Sequence, residues 1–133
     1  MTRWALLAAV LLLAGCATLR TYPGAARGAA QVACLRPAVM PGRLILIDAV
    51  DSSALGWLDD RAEILPGEHS ARVTVVLRGR EGDAQFTHRL TFRAEPGRHY
   101  IVYAEPEGRG LRTFIFDDRA GSIVAEAFTP QAR

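Results

Sequence analysis

The chain contains no lysine, three histidines and two cysteines, and these scarcities narrow its possible functions. All sixteen basic residues are arginine, and fourteen acidic residues nearly balance them. A total charge this close to zero gives no electrostatic reason to expect nucleic acid or an anionic surface as partner. Exclusive use of arginine is typical of biased codon usage. The alternative explanation is that the arginines bind phosphate. No serine lies in a Gly-x-Ser-x-Gly elbow, the turn that presents the nucleophile of many hydrolases.

Long apolar runs are also absent, but a short one lies at the N-terminus. Arg3 precedes the run from Trp4 to Leu13, which is shorter than the roughly 20 residues of a membrane-spanning helix and typical of a secretory signal peptide. The run ends in the letters LAGC at 13–16, which resemble a bacterial lipobox. The resemblance implies cleavage before Cys16 and acyl chains on its thiol and amine. Because Ala17 follows rather than aspartate, it also implies the outer membrane, with the domain facing the periplasm.

The expected mature chain is held on a membrane by lipid without spanning it, since two or more acyl chains anchor a protein stably. Removal of residues 1–15 leaves 133 − 15 = 118 residues, the size of one domain. Residues 16–30 are rich in alanine and glycine and are predicted to be a flexible lipidated tether. The predicted domain covers residues 31–128, and residues 129–133 are a C-terminal tail.

Cys34 has no partner within the chain if lipid occupies the thiol of Cys16. It lies in the apolar stretch "QVACL", where a buried free cysteine behaves as a small hydrophobic residue. Two alternatives stay open. One is an intermolecular disulfide in the oxidising envelope, and the other is a catalytic thiol, for which the sequence identifies no base.

Short runs of β-branched and aromatic residues follow one another at nearly even spacing after residue 30, and glycine, proline and aspartate separate them. This pattern predicts an all-β chain that forms a single small antiparallel β-sandwich of about seven strands. The alternation is regular over 84–94, where Phe86, His88 and Leu90 share one face with Phe92. No helical period is present after the signal.

The turn sequence Pro-Gly-x-His occurs twice, in "ILPGEHSARVTV" at 64–75 and in "AEPGRHYIVYAE" at 94–105. Proline and glycine favour the two central positions of a tight turn, so both segments are predicted to start a strand after a reversal, and both 79–82 and 95–98 to be hairpin turns. The predicted register places Arg78 opposite Asp83, Val73 opposite His88, His69 opposite Phe92, Ala94 opposite His99, and Ile101 opposite Phe92.

His69 and His99 are candidate metal ligands because imidazole is a common ligand of zinc and copper. In the predicted register they flank one strand, so their backbones lie about 10 Å apart. No carboxylate alternates onto their face nearby. No metal site is therefore predicted, and both histidines are expected to mark strand entries.

Several short elements of the chain resemble a group of small, uncharacterised proteobacterial lipoproteins. The resemblance covers roughly residues 16–128 and implies the fold and the location, without an activity. The Pro-Gly-x-His-x-x-x-Val element also resembles hairpins of PEGA-like and transthyretin-like modules. The matching elements are Tyr22-x-Gly24, Arg27, Val32-Ala33-x-Leu35, Val50-Asp51, Leu65-Pro66-Gly67-x-His69, Leu90-x-Phe92-x-Ala94-x-x-Gly97-x-x-Tyr100 and Ile115-x-Asp117. Ser52 follows Val50-Asp51 where the group usually has glycine.

These observations predict a non-enzymatic envelope lipoprotein that binds another protein or the cell wall, without a cofactor or nucleic acid. The alternative is a periplasmic binder of a small ligand or metal that uses His69 or His99 with the 105–110 loop. An enzyme would need a pocket that gathers at least two of Asp48, Asp51, Asp117, His88 and Cys34.

Overall fold

Extended strands make up most of the protein. The computed structural model describes residues 17–56 and 59–130, which form strands and turns without a helix, so the predicted all-β class is confirmed. Nothing in this part of the chain is a helix with the length and hydropathy to cross a bilayer. The predicted signal peptide, Cys16 and residues 131–133 lie outside the described residues. The strands are β1 Ala17–Arg20, β2 Ala33–Pro37, β3 Arg43–Val50, β4 Ser53–Ala54, β5 Asp59–Ile64, β6 Gly67–Gly79, β7 Gly82–Ala94, β8 His99–Glu107, β9 Gly110–Asp117 and β10 Ser122–Pro130.

The strands form two sheets whose inner faces share one hydrophobic core. The first sheet has the order β1-β5-β2-β8-β9-β10, and the second has the order β4-β3-β6-β7. Leu35 and Ile115 of the first sheet belong to the same buried cluster as Val73 and Leu90 of the second. Burying one such side chain contributes about 1.5–3 kcal/mol. Alternate apolar residues on both sheets therefore hold the layers together.

The hairpin of β6 and β7 has the predicted register. Arg78 pairs with Asp83, Val73 with His88, and His69 with Phe92. Every second residue from 84 to 94 is more buried than its neighbours. The prediction is confirmed here because a two-residue turn between two long strands leaves a single pairing that buries one face of both.

The second predicted hairpin is wrong. β7 is an edge strand of the four-stranded sheet, whereas β8 lies between β2 and β9 in the other sheet. The predicted pairs of Ala94 with His99 and of Ile101 with Phe92 do not form, and His99 lies opposite Cys34. Pro96-Gly97 thus carries the chain from one sheet to the other.

The crossover at Gly97 begins with the same local chemistry as a hairpin turn. Gly97 has the positive φ of 73° that favours glycine. Its N–H donates to the carbonyl of Val32 at 2.8 Å, and the Cys34 N–H donates to the carbonyl of Arg98 at 3.0 Å. These hydrogen bonds, to residues more than sixty positions earlier in the chain, place β8 beside β2. The turn residues by themselves therefore do not determine which sheet the following strand joins.

The six-stranded sheet is mixed rather than purely antiparallel. β1 pairs parallel with β5, and β2 pairs parallel with β8. The described residues form ten strands where about seven were predicted, and part of the excess lies in segments predicted to be irregular. Ala17–Arg20 of the predicted 16–30 tether forms β1, and β10 extends to Pro130, past the predicted domain end at 128. An edge strand is held by hydrogen bonds of its backbone, so it can form without a run of β-branched or aromatic side chains. Because the residues around β1 are small, no strand pattern is visible there in the sequence.

Candidate functional site

The outer face of the six-stranded sheet has two chemically different halves. Side chains that alternate with Leu35 and Tyr100 of the core point away from it, toward solvent. The half nearest β1, here called the basic half, consists of Arg20, Arg27, Arg36, Arg61 and Arg98 around Cys34. The half on β8–β10, here called the aromatic cluster, consists of Tyr103, Phe114, Phe116 and Phe128.

A cavity of about 310 Å³ opens in the basic half. Cys34 and His99 line it and are Cα partners on adjacent parallel strands. Glu63 also lines it and accepts a hydrogen bond from the hydroxyl of Tyr22 at 2.5 Å. The Arg27 guanidinium lies 5.6 Å from the centre of the Tyr22 ring. The buried tyrosine therefore fixes the segment after β1 against the rim of the cavity.

The thiol of Cys34 is half-buried and unpaired with any cysteine of the described residues. Burial raises the pKa of Cys34, and the nearby Arg61 and Arg36 only partly oppose this effect. A nucleophilic thiol needs a lowered pKa. Cys34 is thus a protonated, weakly reactive thiol at neutral pH, even though His99 is its neighbour on β8.

Asp117 positions Arg98 at the margin of the cavity. The Asp117 side chain is 5% exposed, and its Oδ2 accepts a hydrogen bond from Arg98 Nη1 at 2.8 Å. Its Oδ1 accepts the backbone N–H groups of Arg119 and Ala120, both at 3.0 Å. One carboxylate therefore closes the β9–β10 turn and pairs with a cation of the outer face.

Three rings of the aromatic cluster are in contact through Tyr103. Tyr103 stacks on Phe114 with centroids 5.4 Å apart and meets the edge of Phe116 at 6.2 Å. The guanidinium of Arg112 lies 4.9 Å from the centre of the Phe114 ring and donates to Glu126 at 2.8 and 3.0 Å. Phe114 is buried beneath these contacts, and Tyr103 and Phe116 are half-buried.

Phe128 extends the aromatic cluster onto the edge strand β10 and is 54% exposed. Its ring lies across Gly110, where an added Cβ would meet the ring at 2.5 Å and the carbonyl of Thr129 at 2.5 Å. A side chain at position 110 would displace Phe128. Glycine in the edge of a sheet is commonly covered by an aromatic neighbour in this way.

The imidazole of His69 joins two turns at one end of the four-stranded sheet. Nδ1 lies 2.6 Å from Asp51 Oδ2, and Nε2 lies 2.6 Å from the carbonyl oxygen of Leu65. Both partners are hydrogen-bond acceptors, and a ring N–H that faces either of them can donate to it. Asp51 also accepts the Ser70 backbone N–H at 2.9 Å. His69 therefore clamps the β3–β4 turn to the β5–β6 turn, and both ring nitrogens are engaged.

The sequence missed the partner of His69. Asp51 precedes His69 by 18 residues and stands in the left-handed region with φ of 52°, so no local pattern links the two. The Val50-Asp51 and Pro-Gly-x-His elements, quoted above for the family resemblance, are the one signal that could have related them. In the structure these elements contact each other.

His88 is enclosed by the core. Its Nε2 hydrogen-bonds to the hydroxyl of Thr129 on β10, across the contact between the two sheets. Burial lowers the pKa of His88, so the ring is neutral at neutral pH. Its Nδ1 has no hydrogen-bond partner in the part of the chain that the structure describes.

The residues named as metal ligands or catalytic groups lie at separate places. His69 is on the four-stranded sheet and His99 on the six-stranded one. The predicted 105–110 loop is wrong in extent: residues 105–107 belong to β8 and residue 110 to β9, and only 108–109 form the hairpin turn. That turn lies about 25 Å along β8 from His99. Within residues 17–56 and 59–130, no three histidine, cysteine, aspartate or glutamate side chains are grouped to hold a metal ion. The predicted pairing of either histidine with that loop thus gains no support from the geometry.

The five candidates for an enzyme pocket are also dispersed. Asp48 accepts a hydrogen bond from the Thr74 hydroxyl at 2.5 Å on the outer face of the four-stranded sheet. The others are placed by the contacts already described: Asp51 with His69, Asp117 with Arg98, His88 with Thr129, and Cys34 beside His99. The structure therefore brings none of these five to another one.

Three surfaces of the described residues bring several side chains together: the basic half with its cavity, the aromatic cluster beside β10, and a cavity of about 660 Å³ lined by Asp48, Asp59, Asp60 and Arg72. Comparison of the chain with protein-family models, with curated protein sequences and with solved structures finds no match in any of the three.

Proposed function

We propose that the protein is a lipid-anchored component of the bacterial cell envelope that binds another envelope protein through the aromatic cluster and the edge of β10. The observation that carries the proposal is Phe128, an aromatic side chain 54% exposed on an edge strand that also exposes Ile123 and Val124. Contiguous apolar patches mark interaction sites, and aromatic residues are enriched in the centres of protein interfaces. No catalytic role and no cofactor are part of this proposal.

The edge of β10 supports the proposal because its regular part can accept a partner strand. β10 pairs with β9 on one side and is the last strand of its sheet. A bulge between Ile123 and Ala125 interrupts the first part of the strand, a common protection against unwanted pairing. Residues 125–130 keep a regular register with β9. A partner that pairs there would also cover Phe128.

The finer architecture belongs to the same proposal. We infer that the two sheets pack as a β-sandwich similar to the PEGA-like and transthyretin-like modules. Support comes from the single core that both sheets contribute to and from the hydrogen bond of His88 to Thr129, which links an edge strand of each sheet. A sandwich of this kind displays its edges and outer faces to partners.

Acylation of Cys16 is the first testable part. The mature chain purified from the membranes of an expressing bacterium is expected to begin at Cys16 and to carry a diacylglycerol and an additional acyl chain. Mass spectrometry of the intact protein measures this directly, and Cys16→Ala is expected to leave the leader uncleaved. A wild-type mass that equals the full unmodified chain would contradict the anchor.

Partner binding is tested by photo-crosslinking in intact cells. A photoreactive amino acid in place of Phe128 is expected to give a discrete protein adduct, because that side chain lies at the centre of the proposed interface. The matched control is the same amino acid in place of Gln85, an exposed residue on the outer face of the four-stranded sheet. Equal adducts from both positions, or adducts with cell-wall fragments alone, would overturn binding of a protein at β10.

A further inference from the structure

We propose that the basic half of the outer face docks on the headgroups of anionic phospholipids, and that this contact orients the domain on the membrane. The proposal rests on the lipid anchor of the proposed function and goes beyond it. It assigns headgroup binding to the basic half with its cavity, and it predicts how the domain is oriented on the membrane. The occupant is the bilayer that holds the acyl chains of the same molecule.

The position of β1 brings the basic half close to the anchor. β1 starts at Ala17, the residue directly after Cys16, and consecutive Cα atoms are about 3.8 Å apart. Thr18 of β1 lines the cavity of the basic half. No flexible tether separates the acylated residue from the sheet, so the margin of the sheet at β1 lies at the membrane surface.

The charge of the basic half suits an anionic membrane. Arg20, Arg27 and Arg36 are exposed, and they outnumber Glu63, the carboxylate that lines the cavity and accepts a hydrogen bond from the Tyr22 hydroxyl. An arginine close to an anionic bilayer gains about five-fold in binding. Three exposed arginines beside an acylated residue therefore provide a substantial attraction.

The two remaining arginines are paired with carboxylates. Arg98 is held by Asp117 at 2.8 Å and lies 3.9 Å from Glu95, but a guanidinium has five N–H donors, so it keeps donors for a phosphate. Arg61 lines the same cavity with its side chain 37% exposed, and it contacts Asp60 at 3.4 Å. These two side chains therefore supply hydrogen-bond donors at the cavity, and the net positive charge comes from the three exposed arginines.

The other half of the same face has the opposite charge balance. Glu105, Glu107 and Glu126 stand against Arg109 and Arg112 on β8–β10 and their turn. An anionic surface attracts the margin of the sheet at β1 and repels this part. The nearly neutral total charge of the chain conceals this separation. The expected orientation turns the aromatic cluster and β10 away from the bilayer, where a protein partner reaches them.

Cys34 is a native reporter of this contact, because it lines the cavity and its thiol is free. The full-length protein, purified after processing, is reconstituted in vesicles of phosphatidylglycerol or of phosphatidylcholine. Alkylation of Cys34 by a membrane-impermeant maleimide is then followed by mass spectrometry. We expect alkylation about ten-fold slower in phosphatidylglycerol, with the difference lost in about 0.5 M salt, where exposed charges are screened.

The variant Arg27→Gln/Arg36→Gln is expected to lose most of this protection. Because Arg36 also affects the thiol, each rate is divided by the rate of the same variant in phosphatidylcholine. The matched control is Arg89→Gln/Arg93→Gln, which removes two exposed arginines from the outer face of the four-stranded sheet and is expected to keep the protection.

Equal rates in the two kinds of vesicle overturn the docking. So does protection in detergent that increases with protein concentration, which would show that a second copy covers the cavity. Acylation is read from the mass of the same sample. Protection that requires phosphatidylglycerol supports the docking whether or not acyl chains are present, so the failure of the anchor and the failure of the docking are distinguishable.

Discussion

Replacing Asp117 with alanine is expected to lower the free energy of unfolding by about 3 kcal/mol, because the change removes the closer and more buried of the two carboxylates that pair with Arg98. It also removes the acceptor of the Arg119 and Ala120 N–H groups in the β9–β10 turn. Urea denaturation followed by circular dichroism measures the loss.

The control for this experiment is the neighbouring aspartate. Asp118 is exposed in the same turn, and Asp118→Ala is expected to change the stability by less than about 0.5 kcal/mol. Equal effects of the two substitutions would show that Asp117 has no special place in the turn. Arg98→Ala is expected to lower the free energy of unfolding less than Asp117→Ala does. In that variant the backbone N–H groups of Arg119 and Ala120 still have the Asp117 carboxylate as acceptor.

The second large effect is expected at His69. His69→Ala removes the charge-assisted bond to Asp51 and the bond to the Leu65 carbonyl, and it should lower the free energy of unfolding by about 2 kcal/mol. The matched control is His99→Ala, which changes the histidine of the second Pro-Gly-x-His segment. His99 is exposed, so its loss is expected to cost less than about 0.5 kcal/mol. Similar losses at both positions would contradict the clamp.

The clamp should also depend on pH through Asp51. Burial by itself raises the pKa of Asp51, but the Ser70 N–H and His69 outweigh it, so the pKa lies below its ordinary value of 3.8. A carboxyl whose pKa is lowered on folding stabilises the folded state above its unfolded pKa and loses that contribution as the pH falls through the folded pKa.

The stability difference between the wild type and Asp51→Asn is therefore expected to be largest near neutral pH and to shrink below about pH 4. Urea denaturation of both proteins at a series of pH values measures it. The control is Asp83→Asn, on an exposed residue at the other end of the same sheet. A difference that grows on acidification would show that the ionised carboxylate of Asp51 does not stabilise the fold.

The two Pro-Gly-x-His segments show how far the turn chemistry was predictive. Each leads into a strand, as predicted, and each carries the chain from one sheet to the other, from β5 to β6 and from β7 to β8. The strand after the first has its predicted pairing, because β6 and β7 are consecutive and joined by a short turn. The strand after the second does not, because β8 bonds to β2 and β9 in the six-stranded sheet. Sequence-local rules describe a turn, whereas the partner of the strand after it depends on distant residues.

The candidate surfaces differ in the same way. Tyr103 and Phe116 lie on the outer face because alternation along β8 and β9 assigns every second residue to it, and no local pattern separates them from a core aromatic residue such as Tyr100. The basic half was not predicted from the total charge, since its arginines come from β1, β2, β5 and two loops. Net charge is a sum over the chain, and it contains no information on position.

The amino-acid sequence by itself determined that this protein is built from strands, and it determined the register of β6 with β7, because side-chain alternation and turn residues are local properties. Only the tertiary structure decided that β8 belongs to the six-stranded sheet, that Asp51 holds His69, and that five arginines gather on one half of a sheet face. These features depend on contacts between residues many positions apart, and such contacts form only when a shared core fixes both sheets in place.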